Sequence, residues 1–288
     1  MNIKVHLLKS FGASDDGGNP AGVVLDADGL TNSQKLAIST EIGFSETAFV
    51  EKSDKADFKV TFFTPNAEVD LCGHATIATY SLLFQKGLIK SGRYSQELKA
   101  GVLRVEINNS GLVIMDQSLP IFSETISVQD IRDVCVSYEG IKNLEPQVVS
   151  TGLRDIMLPV KDRKELFSLS FDQNKVSDLN KKTSSIGLHA FTFDTIDPVA
   201  IAHCRNFAPL YGIPEESATG SSCGALACYL YKYGKLKDKN FENMKFEQGY
   251  SMNNPSEIFV TLEINNNEID RVQVGGRAIV SGERNIEI

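Results

Sequence analysis

One stretch of this 288-residue chain occurs twice, and that echo constrains the fold more than any other feature. The first copy, Glu68-Val69-Asp70-Leu71-Cys72-Gly73-His74-Ala75, runs on through Tyr80 and Leu83 to Gly87. The second, Glu215-Glu216-Ser217-Ala218-Thr219-Gly220-Ser221-Ser222, runs on through Ala227 and Leu230 to Gly234. At one constant offset Glu68 meets Glu215, Gly73 meets Gly220, Leu83 meets Leu230 and Gly87 meets Gly234. Each copy reads as a tight glycine turn, a helix of about three turns and a glycine stop. A glycine at such a turn lets the backbone approach a ligand closely. The first N–H groups of the helix, with its dipole, attract anions. Two such helix starts facing one cleft would suit a small carboxylate. Two buried helices in a duplicated domain would give the same repeat without a shared site, though not the polar residues gathered at both turns.

The length suits two domains, and 42% hydrophobic with 23% charged residues is a globular composition. The net charge of −8 argues against nucleic-acid binding. No apolar run is long enough for a membrane span. The N-terminus reads as a strand and a loop, not as a signal peptide, which makes the cytoplasm the expected location. The five cysteines are irregularly spaced without a CxxC pair, and His6, His74, His189 and His203 are scattered. Neither a disulfide framework nor a structural metal site is expected.

Along the chain, residues 3–8 alternate as a strand and Gly17-Gly18-Asn19-Pro20 marks a loop. Ala21 to Leu25 reads as a buried strand. Thr31 with Gln34 is a capping box, so a helix follows with Leu36, Ala37 and Ile38 turned inward and Gly43 as its stop. Strands are expected at 48–50 and 58–63, then near 101–106, 112–115, 146–149, 156–160 and 187–193. Helices are expected near 128–136, 173–181 and 195–202. Many short strands with few helices predict an α+β fold. A turn signal at Leu119-Pro120 places a domain boundary within 116–125.

Several motifs resemble one known family. They are GGNPAGVVL at 17–25, FSETAFV at 44–50, TPNAEVDLCGHATIATYSLL at 64–83 and TGLRDIMLPV at 151–160. RNFAPLYGIPEESATGSSCGALACYLYKYG at 205–234, EQGY at 247–250 and VGGRAIVSGE at 274–283 continue the match. In this order, over nearly the whole chain, they resemble the PhzF family of phenazine-biosynthesis proteins, within the diaminopimelate-epimerase-like superfamily. The resemblance implies two similar domains, each a curled, barrel-like β-sheet around a central helix, with an active site between them. Residues 1–117 plus 277–288 would form one domain and 118–276 the other. It further implies an isomerase that moves a proton on a small carboxylate-bearing substrate without metal or organic cofactor. A homodimer is common in that family; no nucleic-acid or membrane partner is implied.

The resemblance also assigns residues. Glu46, in SETAF, matches the catalytic glutamate, and burial beside Phe44 and Phe49 is expected to raise its pKa. Read without the motif, it is a strand-end acid facing water. His74, in GHAT, would orient the substrate or relay a proton, or would simply cap its own helix. Glu216 stands where the family usually has aspartate, and reads as an assisting acid or a solvated loop acid. Gly73, Gly220, Ser221 and Ser222 are candidate donors to a substrate carboxylate, and Asn19 lines the cleft or fixes its loop. Asn254 replaces an arginine frequent in the family.

Racemase relatives use two opposed thiols, one at each helix start. Here Cys72 faces that role alone, because Thr219 holds the partner position and a hydroxyl is too weak an acid to complete the pair. Cys72 also reads as a small packed residue. Cys223 lies one turn further on and is expected to point elsewhere. A cysteine-dependent amino-acid racemase or epimerase, and a non-catalytic ligand-binding protein on the same fold, are the alternatives.

Overall fold

Thr31 opens its helix by satisfying two backbone donors that a helix start leaves unpaired. In the computed structural model, which describes residues 1–236 and 240–288, its hydroxyl accepts the Gln34 N–H at 3.3 Å. Gln34 Oε1 in turn accepts the Thr31 N–H at 2.9 Å. Helix α1 (Asn32–Ile42) follows, and Gly43 ends it in the left-handed region at φ 73°. The buried face of α1 is Lys35, Ile38, Ser39 and Ile42, with Leu36 half-buried. Ala37 is exposed, contrary to the sequence expectation. Lys35 takes the inward place because its ammonium meets Glu51 Oε2 at 2.5 Å and Thr61 Oγ1 at 3.1 Å, while its stem packs as an apolar chain.

The chain divides into two compact units, Met1–Asp116 with Gly275–Ile288, and Gln117–Val274. In the first, β1 (Asn2–Ser10) pairs antiparallel with β2 (Asn19–Val24) and with the last strand, β18 (Ala278–Glu287). Strand β2 runs parallel to β3 (Thr47–Glu51), and β3 antiparallel to β4 (Phe58–Phe63). The sheet continues through β5 (Glu68–Val69), β6 (Gly92–Leu98), β7 (Gly101–Ile107) and β8 (Val113–Gln117). Strands β2 and β3 come so close that a Cβ on Gly22 would lie 2.8 Å from Thr47 Oγ1, so only glycine fits there.

Helix α2 (Gly73–Gln85) packs against β1, β2, β3 and β18. Every residue from His74 to Leu83 is buried, as befits a helix enclosed on all sides by its sheet. The first copy of the sequence echo is thus the central helix of this unit.

The second unit holds β9 (Ile121–Thr125), β10 (Gln147–Ser150), β11 (Arg154–Pro159), β12 (Gly187–Thr192) and β13 (Ala202–Ala208). They are followed by β14 (Ile213–Glu216), β15 (Met244–Gln248), β16 (Ser256–Asn265) and all but the last two residues of β17 (Glu268–Gly276). Strand β10 pairs antiparallel with β9 and β11, β11 runs parallel to β12, and β13 joins β12, β14 and β15. Helices α3 (Val128–Val134), α4 (Arg163–Ser168) and α5 (Gln173–Thr183) close one core, where Ile131, Leu166 and Val176 meet Ile156, Leu158 and Leu188. The second echo helix, α6 (Gly220–Lys232), packs against β10, β11 and β16 and is buried from Ser222 to Leu230.

The helix expected near 195–202 does not form. Asp197 turns the chain by accepting the Val199 N–H at 3.0 Å, and Pro198 has no donor to offer a helix. The buried carboxylate of Glu247 takes the N–H groups of Ile196 at 3.0 Å and Asp197 at 2.5 Å. By Ala202 the chain has already entered β13. No helix among the described residues is long and apolar enough to cross a membrane.

Candidate active site

Glu46 ends the short link between the Gly43 stop and β3, and its carbonyl is held to β2 by the Gly22 N–H at 3.2 Å. Its side chain reaches the start of α2, where Oε2 lies 3.2 Å from His74 Nε2. His74 is only 8% exposed and the Glu46 side chain 18%, so the pair is sheltered without being sealed. Two further groups bear on the imidazole: Ser45 Oγ at 3.5 Å from Nε2 and Cys72 Sγ at 3.5 Å from Nδ1. Ser10, at the end of β1, donates to the His74 carbonyl at 2.6 Å and ties the helix start to the sheet.

The electrostatics correct one sequence expectation. Burial does act to raise the Glu46 pKa, but the attraction of His74 at 3.2 Å, with help from Ser45 and Cys72, outweighs it. The carboxyl is held below its ordinary value, not above it. Burial would lower His74, while the hydrogen bonding and charge of the Glu46 carboxylate raise it. Burial pushes the Cys72 thiol up, so it is a thiol near neutral pH. Glu46 and His74 therefore form a carboxylate–imidazolium pair at the foot of α2.

In the second unit the corresponding turn is built differently. Thr219, the N-cap of α6, donates its hydroxyl to Glu216 Oε2 at 2.6 Å. Gln248, fully buried on β15, organises both: its amide oxygen accepts the Thr219 N–H at 3.1 Å, and its amide nitrogen donates to the Glu216 carbonyl at 2.7 Å. Glu216 is thus built into a capped turn rather than free in a loop. Ser222 points inward, donating to the buried Asp155 at 2.5 Å and accepting from Asn206 at 3.2 Å. Its hydroxyl is committed to the core, which leaves its backbone N–H as the donor near the helix start. Ser221 and Gly220 occupy the first turn of α6 and are half-buried.

Asn19 is buried at the start of β2, opposite Ser10 in the ladder. Asn254 donates to the Met252 carbonyl at 3.3 Å and serves its own turn. Cys223 does turn elsewhere, as expected, lying 3.9 Å from His189 Nε2 in the core. Ser10, Ser45 and Gln248 went unmarked in the sequence. Ser45 sits in the quoted SETAF run and Gln248 in EQGY, so their neighbourhood was legible but their hydrogen bonds were not.

The sheet-rich α+β architecture is that of the epimerase-like fold, and the chain's relatives place it among the isomerases. The family model for phenazine biosynthesis-like proteins, PhzC-PhzF, matches residues 8–284, and the chain belongs to that family. The isomerase YfhB of Bacillus subtilis is 31% identical over 97% of both chains. A trans-2,3-dihydro-3-hydroxyanthranilate isomerase of Pseudomonas chlororaphis is 25% identical over 97% of this chain and 98% of its own. Among solved structures, a PhzF-family phenazine biosynthesis protein of Bacillus anthracis covers 100% of both chains with 29% identity and a TM-score of 0.87.

Proposed function

We propose that this isomerase moves a proton on a small, carboxylate-bearing substrate, with Glu46 as the group that takes the proton and gives it back. The observation that carries the reading is the 3.2 Å contact between Glu46 and His74 at the start of α2. A carboxylate held ionised is ready to accept a proton from an acidic C–H group. The His74 imidazolium beside it balances the charge as the substrate anion develops, which is where a fixed cation lowers a barrier most. Return of the proton to another carbon completes an isomerisation with no redox change.

Anion binding is supported by the two helix starts, each read within its own unit. The first N–H groups of α2, at Gly73 and His74, lack partners inside the helix, as do those of α6 at Gly220 to Ser222. The hydroxyanthranilate substrate of the Pseudomonas chlororaphis relative carries a carboxylate, which suits that chemistry. A two-thiol racemase mechanism finds less support, since Cys72 is a thiol and the Thr219 hydroxyl is engaged with Glu216.

The test is a ligand screen by thermal shift over small carboxylic acids, followed by incubation of each hit in deuterated water. Incorporation of deuterium at carbon, dependent on Glu46, is expected. Binding without exchange for every hit would overturn the reading in favour of a non-catalytic binding protein.

A further inference from the structure

Asp155, the second residue of β11, is only 1% exposed, and its Oδ2 accepts the Ser222 hydroxyl at 2.5 Å. Ser222 is the third residue of α6, so this bond fixes the helix turn whose first N–H groups are the proposed donors to a carboxylate. We propose that Asp155 is a positioning residue for that carboxylate: through Ser222 it holds the first turn of α6, and a negative charge on it weakens anion binding there. The proposal rests on the reading of α6 as an anion site and adds a proton-linked control to it.

The bond is one link of a buried polar chain within the second unit. Ser222 Oγ also accepts from Asn206 at 3.2 Å, and the Asn206 amide nitrogen lies 3.2 Å from His189 Nδ1. The four residues come from β11, α6, β13 and β12, and none is more than 3% exposed. The titratable groups beside Asp155 are His189 from β12 and Cys223 from α6, with Cys204 of β13 bonded to Cys223. Strand β10, paired to β11 on its other edge, brings none. Arg154, next in the chain, turns away to the carbonyls of Thr183 and Ser184. No lysine or arginine among the described residues pairs with Asp155.

A purely structural link to Ser222 could be made by an amide, without burying an acid that has no cation beside it. What the acid adds is a charge that comes and goes. Burial pushes the Asp155 carboxyl above its ordinary value, and the Ser222 bond and His189 pull it back only in part. An anion on the Ser222 N–H would lie roughly 7 Å from that carboxyl, where like charges cost at least ~10-fold in affinity at an effective dielectric of about 20. With Asp155 neutral, the helix dipole and the free N–H groups act unopposed. As Asp155 ionises, its field cancels part of theirs, so anion binding is linked to proton uptake.

The experiment is a calorimetric titration of the intact protein with benzoate from about pH 5 to about pH 8. Wild-type affinity should fall by at least ~10-fold across the range. Asp155→Asn, whose amide oxygen still accepts the Ser222 hydroxyl, should hold the tighter affinity throughout, with folding checked by circular dichroism. Ser222→Ala keeps the backbone N–H but removes a bond that favours the ionised carboxyl, so the fall should move to higher pH. Glu216→Gln should keep the wild-type slope, which separates Asp155 from the acid of the α6 turn. A slope in Asp155→Asn equal to that of wild type, an unmoved midpoint in Ser222→Ala, or no benzoate binding at any pH would overturn the proposal. The readout is independent of turnover, so a failure to find proton exchange bears on the isomerisation mechanism alone.

Discussion

Oε2 of Glu46 lies 3.2 Å from Nε2 of His74, joining a residue at the mouth of β3 to the first turn of the helix that β3 helps enclose. The contact fixes the charge states at the site: an acid held ionised against its burial by a histidine held protonated against its own. The strand side of the contact is rigid, since Thr47 to Phe49 are buried and paired on both edges.

Stability should report the pair through its pH dependence. The folded pKa of Glu46 is depressed from 4.5, so its contribution is present above that value and lost as pH falls through the lower folded value. The folded pKa of His74 is raised from 6.5, so its contribution is full below 6.5 and lost as pH rises through the higher folded value. The two overlap fully between 4.5 and 6.5. His74→Asn leaves Glu46 without its partner and should cost about 3 kcal/mol in that window. The cost should shrink at lower pH, where the unpaired carboxyl takes up a proton. Denaturant unfolding of both proteins across the pH range measures this; a pH-independent difference would contradict the ion pair.

Cys72→Ser should slow proton exchange by less than the ~10²–10⁴ that a general acid–base group supplies. Burial keeps Cys72 a thiol, and the echoed position holds Thr219, whose hydroxyl is donated to Glu216. Complete loss of exchange in a folded Cys72→Ser protein would revive the two-thiol mechanism.

Gln248 should prove a positioning residue of the α6 turn. Its amide engages the Thr219 N–H, the Thr219 hydroxyl and the Glu216 carbonyl from a fully buried position. Gln248→Ala strands these groups and should cost about 1–3 kcal/mol in unfolding free energy. Gln248→Glu keeps the acceptor for the Thr219 N–H but sets a buried carboxyl oxygen against the Glu216 carbonyl, and should cost at least as much. Wild-type stability in Gln248→Ala would show that the turn holds itself.

Much of this was legible in the residues. The Thr31–Gln34 box and the Gly43 stop bound α1 because capping is a local interaction, decided within three or four residues. The echo marked α2 and α6 because glycine turns and apolar runs are local too. What failed depended on distant partners. Lys35 displaced Ala37 from the buried face of α1 because Glu51 and Thr61 wait for it on neighbouring strands. Residues 195–201 kept their N–H groups from a helix because Glu247, some fifty positions on, accepts two of them. The sign of the Glu46 shift followed from an imidazole that periodicity could not place at 3.2 Å. Phe44 and Phe49 were visible neighbours in sequence, and burial alone would have raised the pKa as expected.

The most direct test of the central role given to Glu46 is the rate of deuterium wash-in from solvent into a bound carboxylic acid, compared between wild type and Glu46→Gln. The amide keeps the shape and the contact with His74 but neither accepts nor returns a proton. The exchange rate should fall by about 10²–10⁴, or roughly 3–5 kcal/mol of barrier, while ligand affinity stays near that of wild type. A Glu46→Gln protein that exchanges at the wild-type rate would contradict the account.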